Sequence, residues 1–489
     1  MELVEILNAF SMIVLGSFIG MLFGAIPGLG AALTIVLLLP ITYFMSPLAA
    51  ILLLLSAYQS AEYGGSISAL TLGIPGTPAA AATVIDGFEY AKSTSPGKAI
   101  SFSLMASSIG GIFGSMMLIF LSKPLTVLAL KMSAPEYFLV GTLGLFAIAT
   151  LASKDILKSA ISAILGLLAA TIGMDLFTGA HRFTFGRVEL LEGIGMIVLI
   201  VGVFGFSEIF NIISVSLKNQ GQTTKEMLKS KITFKEFKSV GKHIGLGSIV
   251  GSLVGAFPGT GAGTASFFSY SIGKKFSKSS PEYGKGNPEG IVAPEAANNA
   301  TVGGALLPLL TLGIPGSATV AIIMGAFVIH GIQPGPKVFE TNAALVNGII
   351  WGFLIAAIVM FFVGKLLTPF FARILVVPNK FLVPILLVVS TMGVFTNNKL
   401  FFDIWVALGL GIIAFLFKKL DYSLPSFVLA FILSPIIEEN FRRSLSMSSG
   451  SYTIFFSSIF SKILILSIIV IIFFGVKGSL KGKKKKTQQ

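Results

Sequence analysis

The sequence predicts an all-α polytopic membrane protein, and its composition and its apolar runs lead to that prediction. Hydrophobic residues make up 54% of the 489-residue chain and charged residues only 11%, with a mean hydropathy of +0.90. Soluble domains average about 25% charged residues, and disorder needs high charge with low hydrophobicity. Long apolar runs recur without the period-2 alternation of strands, and lipid admits only helices and closed barrels. A soluble enzyme and a disordered chain are therefore both excluded.

The apolar runs form two groups on either side of a basic segment. The first group lies near 3–24, 31–58, 66–84, 100–121, 136–152, 156–175 and 190–216. The second lies near 244–272, 300–332, 344–370, 380–396, 400–417, 424–437 and 452–476. A straight span needs about 20 residues, and several runs are shorter or carry Pro and Gly in the middle. We expect about 10 to 12 crossings together with broken or re-entrant helices.

Charge divides the chain into a first transmembrane repeat (1–216), a basic linker (217–243), a second transmembrane repeat (244–476) and a basic tail (477–489). The linker holds seven Lys and two Glu and the tail six Lys, which accounts for most of the net charge of +14. The positive-inside rule places both in the cytoplasm beside the lipid bilayer, and we expect no nucleic-acid partner. No Lys or Arg precedes Lys92. A secretory signal peptide needs a basic start, so the first segment is expected to be retained with its N-terminus outside.

Two motif pairs show that the chain is a duplicated unit. Residues 70–77 (LTLGIPGT) recur as residues 310–317 (LTLGIPGS), and residues 24–31 (GAIPGLGA) match residues 255–262 (GAFPGTGA). The offsets are 240 and 231 residues, so the pairs keep their order and nearly their separation. If the N-terminus is outside and the linker is cytoplasmic, the halves are antiparallel. This is the inverted-repeat plan of many secondary transporters.

The Pro-Gly motifs in these runs predict a binding site at the middle of the membrane. Such breaks free backbone groups that lipid cannot satisfy, so they persist only inside protein or beside water. A half-helix N-terminus suits an anion, whereas unwound carbonyls and hydroxyls suit a cation. Loop glycines that merely allow close helix packing are the alternative. The expected site residues are Pro27, Gly28, Gly30, Pro75, Gly76, Thr77, Pro258, Gly259, Thr260, Gly261, Pro315, Gly316 and Ser317.

Polar residues inside the same apolar segments extend the expected site. Intramembrane polar groups usually mark pathways or coupling sites, and here they include Tyr63, Gly64, Gly65 and Ser66, then Thr83 and Asp86, then Asn298 and Asn299. Neighbouring carboxamides offer oxygens to Na⁺ and N–H donors to a carboxylate, so we expect Na⁺ near Asn298 and Asn299. For Asp86 and for Glu295, a site role and simple solvation are equally expected. Residues 1–91 and 286–336 contain no Lys or Arg, which favours cation-coupled symport of an anion.

An enzyme is not expected. Cysteine is absent, and the three histidines are far apart without metal-ligand spacing. Catalytic Ser-His pairs or paired Asp are not found either, so no catalytic residue, metal centre or cofactor beyond the coupling ion is assigned. The pair Arg442-Arg443 after Glu438-Glu439 reads as a solvated helix end.

The ordered motifs resemble those of the TctA-type large membrane subunit of tripartite tricarboxylate transporters, over roughly residues 15–440. In the first half the matching residues are Pro27-Gly28-Leu29-Gly30, Tyr63-Gly64-Gly65-Ser66, Pro75-Gly76-Thr77-Pro78, Thr83 and Asp86-Gly87. In the second half they are Pro258-Gly259-Thr260-Gly261, residues 293–300 (APEAANNA), residues 312–317 (LGIPGS) and Pro334-Gly335-Pro336. Phe88 departs from the Tyr expected there.

The resemblance implies a multi-pass permease of the prokaryotic inner membrane. It implies import of di- or tricarboxylates such as citrate by Na⁺ or H⁺ symport. Its implied partners are an extracytoplasmic solute-binding protein and a small membrane subunit of about four helices, in a gradient-driven secondary transporter. The absence of a Gly-Lys-Ser/Thr phosphate loop agrees with an ATP-independent mechanism. An uncoupled channel, or a permease for another small solute, is the alternative.

Overall fold

The computed structural model describes residues 3–27, 29–151, 155–175, 177–214, 232–374 and 379–486, and this part is almost entirely α-helical. The helices of the first half are α1 (Leu3–Ala25), α2 (Gly30–Thr42), α3 (Pro47–Leu72), α4 (Ala80–Ser93), α5 (Pro96–Ala129), α6 (Ala134–Leu151), α7 (Ile156–Ala170), α8 (Met196–Ile200) and α9 (Ser207–Ser214). A π-helical turn, Val201–Phe206, joins α8 to α9. The prediction of an all-α membrane protein is confirmed.

The second half repeats the order of long and broken helices. It contains α10 (Phe234–Gly255), α11 (Gly261–Phe276), α12 (Glu289–Leu312), α13 (Ala318–Ile329), α14 (Val338–Thr341), α15 (Ala343–Ile374), α16 (Asn379–Asn398), α17 (Phe401–Lys419), α18 (Leu424–Met447) and α19 (Ile459–Lys486). Short 3₁₀ turns lie at Val188–Leu190, Ser280–Glu282 and Tyr452–Phe456. Most of the basic linker lies outside the described residues, as does the end of the basic tail from 487.

Several apolar runs prove to be two helices each. The run near 31–58 is divided between α2 and α3, the run near 66–84 between α3 and α4, and the run near 300–332 between α12 and α13. Six of the described helices are long and apolar enough to cross a membrane, and six apolar helices are shorter, with 10–17 residues. The number of crossings stays a prediction. Against the expectation of no strands, a small antiparallel hairpin pairs β1 (Gly173–Met174) with β2 (His181–Arg182).

Helices α3 and α12 form the centre of the molecule. Every residue from Leu48 to Leu70 in α3 is buried, and so is every residue from Gly290 to Thr311 in α12. Helices around them present large apolar side chains outward, including Phe120, Trp351 and Trp405, which are 56–72% exposed. Protein therefore shields the two central helices from lipid, which is why they tolerate polar residues that a lipid-facing helix would not.

Glycines allow α1 to pack closely on α3 and α10 to pack closely on α12. A Cβ added to Gly20 would lie 2.7 Å from the Cα of Ala57, and one added to Gly251 would lie 2.6 Å from the Cα of Ala297. The two contacts are equivalent under the offsets of the repeated motifs. The equivalent contacts of the two helix pairs are Gly16–Leu53 with Gly247–Ala293, Gly20–Ala57 with Gly251–Ala297, and Gly24–Ala61 with Gly255–Thr301. The duplication seen in sequence is thus also a duplication of packing.

Candidate functional site

Four breaks between helices lie where the Pro-Gly motifs predict them. They separate α1 from α2, α3 from α4, α10 from α11 and α12 from α13. Helices α3 and α12 each end at a glycine in the left-handed region, Gly73 (φ 70°) and Gly313 (φ 74°), and an Ile-Pro-Gly segment follows each one. Glycine reaches this conformation without the steric cost that a side chain imposes, and the proline prevents the helix from continuing.

The breaks of each half lie against one another. The N–H of Gly259 donates to the carbonyl of Gly316 at 2.9 Å in the second half, and in the first half a Cβ on Gly30 would meet the carbonyl of Gly76 at 3.6 Å. The N–H of Gly76 donates to Gly65 at 3.0 Å, and that of Gly316 donates to Ala305 at 3.3 Å. Gly28, a predicted site residue, lies outside the described residues. The freed backbone groups therefore partly satisfy each other inside the protein.

Hydroxyls at the breaks are used to cap or close helices. The hydroxyl of Thr77 accepts from the N–H of Ala80 at 3.3 Å, and that of Ser317 accepts from Val320 at 3.2 Å. The hydroxyl of Thr260 donates to the carbonyl of Val254 at 2.6 Å. These bonds satisfy groups that helix ends otherwise leave without partners. The three hydroxyls therefore have structural roles in addition to any contact with a ligand.

Asn298 and Asn299 lie where α12 crosses α3. The amide nitrogen of Asn299 donates to the main-chain oxygen of Gln59 at 2.8 Å, and that of Asn298 donates to the main-chain oxygen of Glu62 at 3.2 Å. Nearby, the hydroxyl of Tyr58 lies 3.4 Å from that of Ser317. We call Tyr58, Gln59, Ser60, Glu62, Thr77, Asn298, Asn299 and Ser317 the crossing cluster. All eight residues are buried.

The crossing cluster contains polar atoms that lack a hydrogen-bond partner. They are Gln59 Oε1 and Nε2, Ser60 Oγ, Glu62 Oε2, Asn298 Oδ1 and Asn299 Oδ1. The carboxyl of Glu62 interacts with the side chains of Thr77 and Asn298 and with the charge of Glu295. Buried polar groups are normally paired, so a concentration of unpaired ones needs an explanation such as a bound ion or water. Gln59, Ser60 and Glu62 are not among the site residues expected from the sequence.

Glu295 is the second buried carboxylate of the region. Its carboxylate accepts hydrogen bonds from four hydroxyls: Ser66 and Thr83, then Ser103 at 2.9 Å and Ser107 at 2.8 Å. The hydroxyls belong to α3, α4 and α5, whereas Glu295 belongs to α12. Among the described residues no Lys, Arg or His pairs with Glu295 or with Glu62. Glu295 is therefore neither solvated nor ion-paired. Ser66 and Thr83, which the sequence predicts as site residues, donate their hydroxyl hydrogens to this carboxylate.

Asp86 holds a loop instead of facing the crossing cluster. Its carboxylate accepts from the hydroxyl of Tyr270 at 2.8 Å and from the main-chain N–H groups of Gly284, Gly286 and Asn287 at 2.8–3.0 Å. The loop is the segment between α11 and α12. Protein donors, and not solvent, surround this carboxylate, so of the two sequence expectations for Asp86 simple solvation is excluded and a site role stays a prediction. Asp86 joins α4 of the first half to the second half.

Gly64 and Gly65 serve close packing. A Cβ on Gly64 would lie 2.6 Å from the carbonyl of Met21, and one on Gly65 would lie 2.7 Å from the nitrogen of Thr77. Tyr63 beside them is fully buried. Side chains at these positions would separate α3 from α1 and from the following break, so the glycines keep the crossing cluster compact.

The end of α18 is not simply solvated, contrary to the sequence prediction. The guanidinium of Arg442 pairs with Asp175 at 3.0 Å and with Glu438 at 2.8 Å, and Arg182 pairs with Glu438 at 2.9 Å. Main-chain donation from Thr178, together with Arg442, lowers the pKa of Asp175 to about 2. These pairs attach the β-hairpin segment to α18. Among the described residues there is no cluster of three or more His, Asp or Glu that could hold a metal ion.

Comparison with known proteins places the chain in a family. The model of the tripartite tricarboxylate transporter TctA family matches residues 10–429. A relative from Agrobacterium vitis, an uncharacterised 52.8 kDa protein in the TAR-I ttuC' 3' region, is 35% identical over 96% of this chain and 94% of its own length. A second, an uncharacterised protein in the TAR-II ttuC' 3' region of the same organism, is 34% identical over 45% of this chain and 91% of its own. No solved structure matches. The chain is therefore a multi-pass membrane protein that belongs to the tripartite tricarboxylate transporter TctA family.

Proposed function

We propose that this chain is the permease subunit of a secondary transporter that imports small di- or tricarboxylates of the citrate type by Na⁺ or H⁺ symport. The observation that supports this most directly is the crossing cluster, a set of buried and partly unpaired polar groups enclosed by α3 and α12. Its helices adjoin four helix breaks, as in secondary transporters whose broken helices bind substrate and ions. Family membership supports a transport role in a tripartite system.

The charge distribution supports coupled transport of an anion. Residues 1–91 and 286–336 contain no Lys or Arg, so a carboxylate substrate would be met by N–H groups at the starts of α2, α4, α11 and α13. Helix N-termini favour anions, by about 0.3–1 kcal/mol each at exposed positions. Because the two buried carboxylates repel an anion, a cation bound with the substrate would offset the charge.

The proposal includes two protein partners and a location. An extracytoplasmic binding protein would deliver the substrate and a small membrane subunit would complete the permease in a prokaryotic cytoplasmic membrane, as the family implies. The basic linker and tail would face the cytoplasm.

Uptake by proteoliposomes tests the proposal. The chain is reconstituted with its cognate small subunit and binding protein, and uptake of labelled citrate and related di- and tricarboxylates is measured with an imposed Na⁺ gradient, a H⁺ gradient or choline. We expect saturable accumulation above the external concentration with a cation gradient. A channel would equilibrate the substrate without accumulating it, and that result would contradict the proposal.

An Asn298→Ala variant tests the location of the site. We expect uptake to be lost while the protein elutes and melts as a folded species, because the crossing cluster loses a side chain that links α12 to α3. Asn342→Ala is the matched control, since the side-chain amide of this half-buried residue donates to the hydroxyl of the neighbouring Thr341 at 3.1 Å, far from the crossing cluster in the sequence. Unimpaired uptake by Asn298→Ala would remove the crossing cluster from the transport site.

A further inference from the structure

The connection between α7 and α8 exposes large apolar side chains. It contains the β-hairpin, and we call residues 173–188 the hairpin segment, of which the structure describes all but 176. Phe183, Val188 and Phe185 are 59%, 76% and 82% exposed. Phe183 and Phe185 also have positive φ angles, 52° and 50°, which are rare for bulky residues. A concentration of exposed apolar surface marks a contact with lipid or with protein.

Ion pairs hold the hairpin segment against α18. Arg442 pairs with Asp175 at 3.0 Å, and Arg182 pairs with Glu438 at 2.9 Å. The guanidinium of Arg442 also lies 5.2 Å from the centre of the Phe177 ring, within the range of a cation–π contact. Because α18 packs along α6 and α7, these contacts fix the height of the hairpin segment on the helices.

Two helices give the same height for the hairpin segment. Helix α7, which leads into the segment, has 15 residues and is about 22 Å long at 1.5 Å per residue. On α18, the distance from Leu424 to Glu438 is about 21 Å by the same measure. Both helices begin at one level, because the amine of Lys158 in the first turn of α7 donates to the carbonyl of Leu420 just before α18.

That height is less than the thickness of a bilayer core. A hydrocarbon core about 30 Å thick that begins at the charged, exposed Asp155 extends about 8 Å beyond the end of α7. Ile164 and Leu168, 55% and 53% exposed, belong to the apolar outer surface of α7, and the hairpin segment continues that surface upward. Its main chain is bonded inward at the hairpin, where the N–H of Asp175 donates to the carbonyl of Ala180 at 2.9 Å. Continuity with a helix surface that faces lipid favours lipid over a protein partner.

The charge of the hairpin segment indicates which property of the lipid matters. Its ionic residues are Asp175, Arg182 and Arg187, and the first two are paired with α18. Arg187 is exposed, and a guanidinium bonds well to a phosphate group. A single free cation among exposed apolar side chains suits burial at the boundary between headgroups and acyl chains, with no need for anionic lipid.

We propose that the hairpin segment inserts Phe183, Phe185 and Val188 into the edge of the bilayer and completes the apolar surface of the protein where α7 is too short. The partner is phospholipid, whose phosphate group bonds Arg187. With the basic linker in the cytoplasm as proposed, the leaflet is the outer one, because the span Met196–Ser214 separates the segment from the linker. The contact requires only a bilayer, whatever solute or ion the protein transports.

Fluorescence quenching in phosphatidylcholine nanodiscs, which leave both faces open to water, tests the contact. The two tryptophans of the chain, Trp351 and Trp405, are replaced by Phe, and Phe185→Trp introduces a single probe. Lys285→Trp, in the exposed loop between α11 and α12, is the aqueous control. The protein that retains only Trp405, 72% exposed on α17, is the lipid-facing control. Brominated acyl chains quench a probe in lipid, and iodide quenches a probe in water.

We expect brominated lipid to quench Phe185→Trp to at least about half the extent seen for Trp405. Iodide should quench it less than it quenches Lys285→Trp. Quenching by iodide alone would place position 185 in water and overturn the proposal. Insensitivity to both quenchers would show that protein covers the position, and it would overturn the proposal as well.

Bilayer thickness provides a second test. The double variant Phe183→Ser, Phe185→Ser should lower the melting temperature in nanodiscs with a core of about 30 Å, and by less in lipids with shorter acyl chains, whose core ends nearer the top of α7. Ile412→Ser is the control, since Ile412 is 52% exposed near the middle of α17 and lies in the core at either thickness. It should lower the melting temperature equally in both lipids. An equal loss in both lipids for the double variant would overturn the proposal.

Discussion

The side-chain amide of Asn299 donates to the main-chain oxygen of Gln59 at 2.8 Å, and these two residues occupy equivalent positions, 240 apart, in the two halves of the chain. A residue that contacts its own equivalent lies close to the axis that relates two repeats. Helices α3 and α12 therefore meet at the point where the duplicated units come together. The unpaired polar atoms of the crossing cluster lie at the same point, so the site belongs to both halves.

Reporter tags test whether the two halves are antiparallel. We expect a tag at residue 1 to be reached from outside the cell and a tag at residue 230 only from the cytoplasm, because the positive-inside rule fixes the seven-Lys linker there. A tag at residue 489 should match the tag at 230. If residues 1 and 230 appear on the same side, the inverted-repeat prediction is wrong.

Two glycines of α10 test the close packing of the helix pairs. Gly251→Ala should lower the free energy of unfolding by about 1–3 kcal/mol, because its Cβ would overlap the main chain of Ala297. Gly245→Ala on the same helix has nothing within 4 Å of the added Cβ and should raise stability by up to about 1 kcal/mol through helix propensity. Unfolding in detergent measures both. Equal effects of the two variants would contradict the packing described.

Two serines of α5 test whether Glu295 is a charged acceptor. Ser107 donates to the carboxylate of Glu295, whereas Ser115, equally buried, donates to the carbonyl of Gly111 in its own helix. Hydrogen bonds to charged groups contribute about 1.5–3 kcal/mol and neutral ones about 0.5–1.5 kcal/mol. We expect Ser107→Ala to lower the free energy of unfolding more than Ser115→Ala. A larger loss of unfolding free energy in Ser115→Ala than in Ser107→Ala would show that the hydrogen bond from Ser107 to Glu295 contributes no more than a neutral one.

Limited proteolysis tests the role of Asp86. Lys278 and Lys285 lie exposed in the loop between α11 and α12, and Asp86 holds this loop through three main-chain N–H groups. Asp86→Ala should increase trypsin cleavage there by at least about tenfold, since cleavage tracks local opening and each lost charged hydrogen bond is worth about 1.5–3 kcal/mol. Glu282→Ala, an exposed change in the same loop, should leave the rate unchanged. Equal rates of trypsin cleavage in the two variants would show that Asp86 does not hold the loop between α11 and α12 in place.

The pairing of Arg442 with Asp175 predicts a dependence on pH. The pKa of Asp175 is lowered to about 2, so its contribution is fully present above the unfolded value near 4 and is lost as the pH falls through about 2. Arg442→Ala should therefore lower the melting temperature at neutral pH, and the difference from wild type should shrink between about pH 4 and pH 2. Arg443→Ala, exposed and next in sequence, serves as the control. A difference that does not change with pH would point to packing alone.

The class of protein, the duplication and the places where helices break can all be read from the amino-acid sequence. Low charge and long apolar runs require a membrane, and Pro-Gly within such a run must end a helix whatever surrounds it. Gly73 and Gly313, which end α3 and α12 in the left-handed conformation, lie within short sequence motifs. The motifs of the family are short stretches of sequence as well. These properties depend on residues that are close together in the chain, and for that reason a linear pattern contains them.

Which polar groups have hydrogen-bond partners depends on how the helices pack in three dimensions. Glu295 and Asp86 were equally open to solvation or a site in sequence, yet four hydroxyls and three main-chain N–H groups from distant segments surround them. Glu62, which no motif singled out from its polar neighbours, keeps an unpaired carboxylate oxygen beside Asn298. Residues that meet across about 190 to 240 positions of chain leave no local pattern, because the packing of buried helices, and not sequence spacing, brings their side chains together.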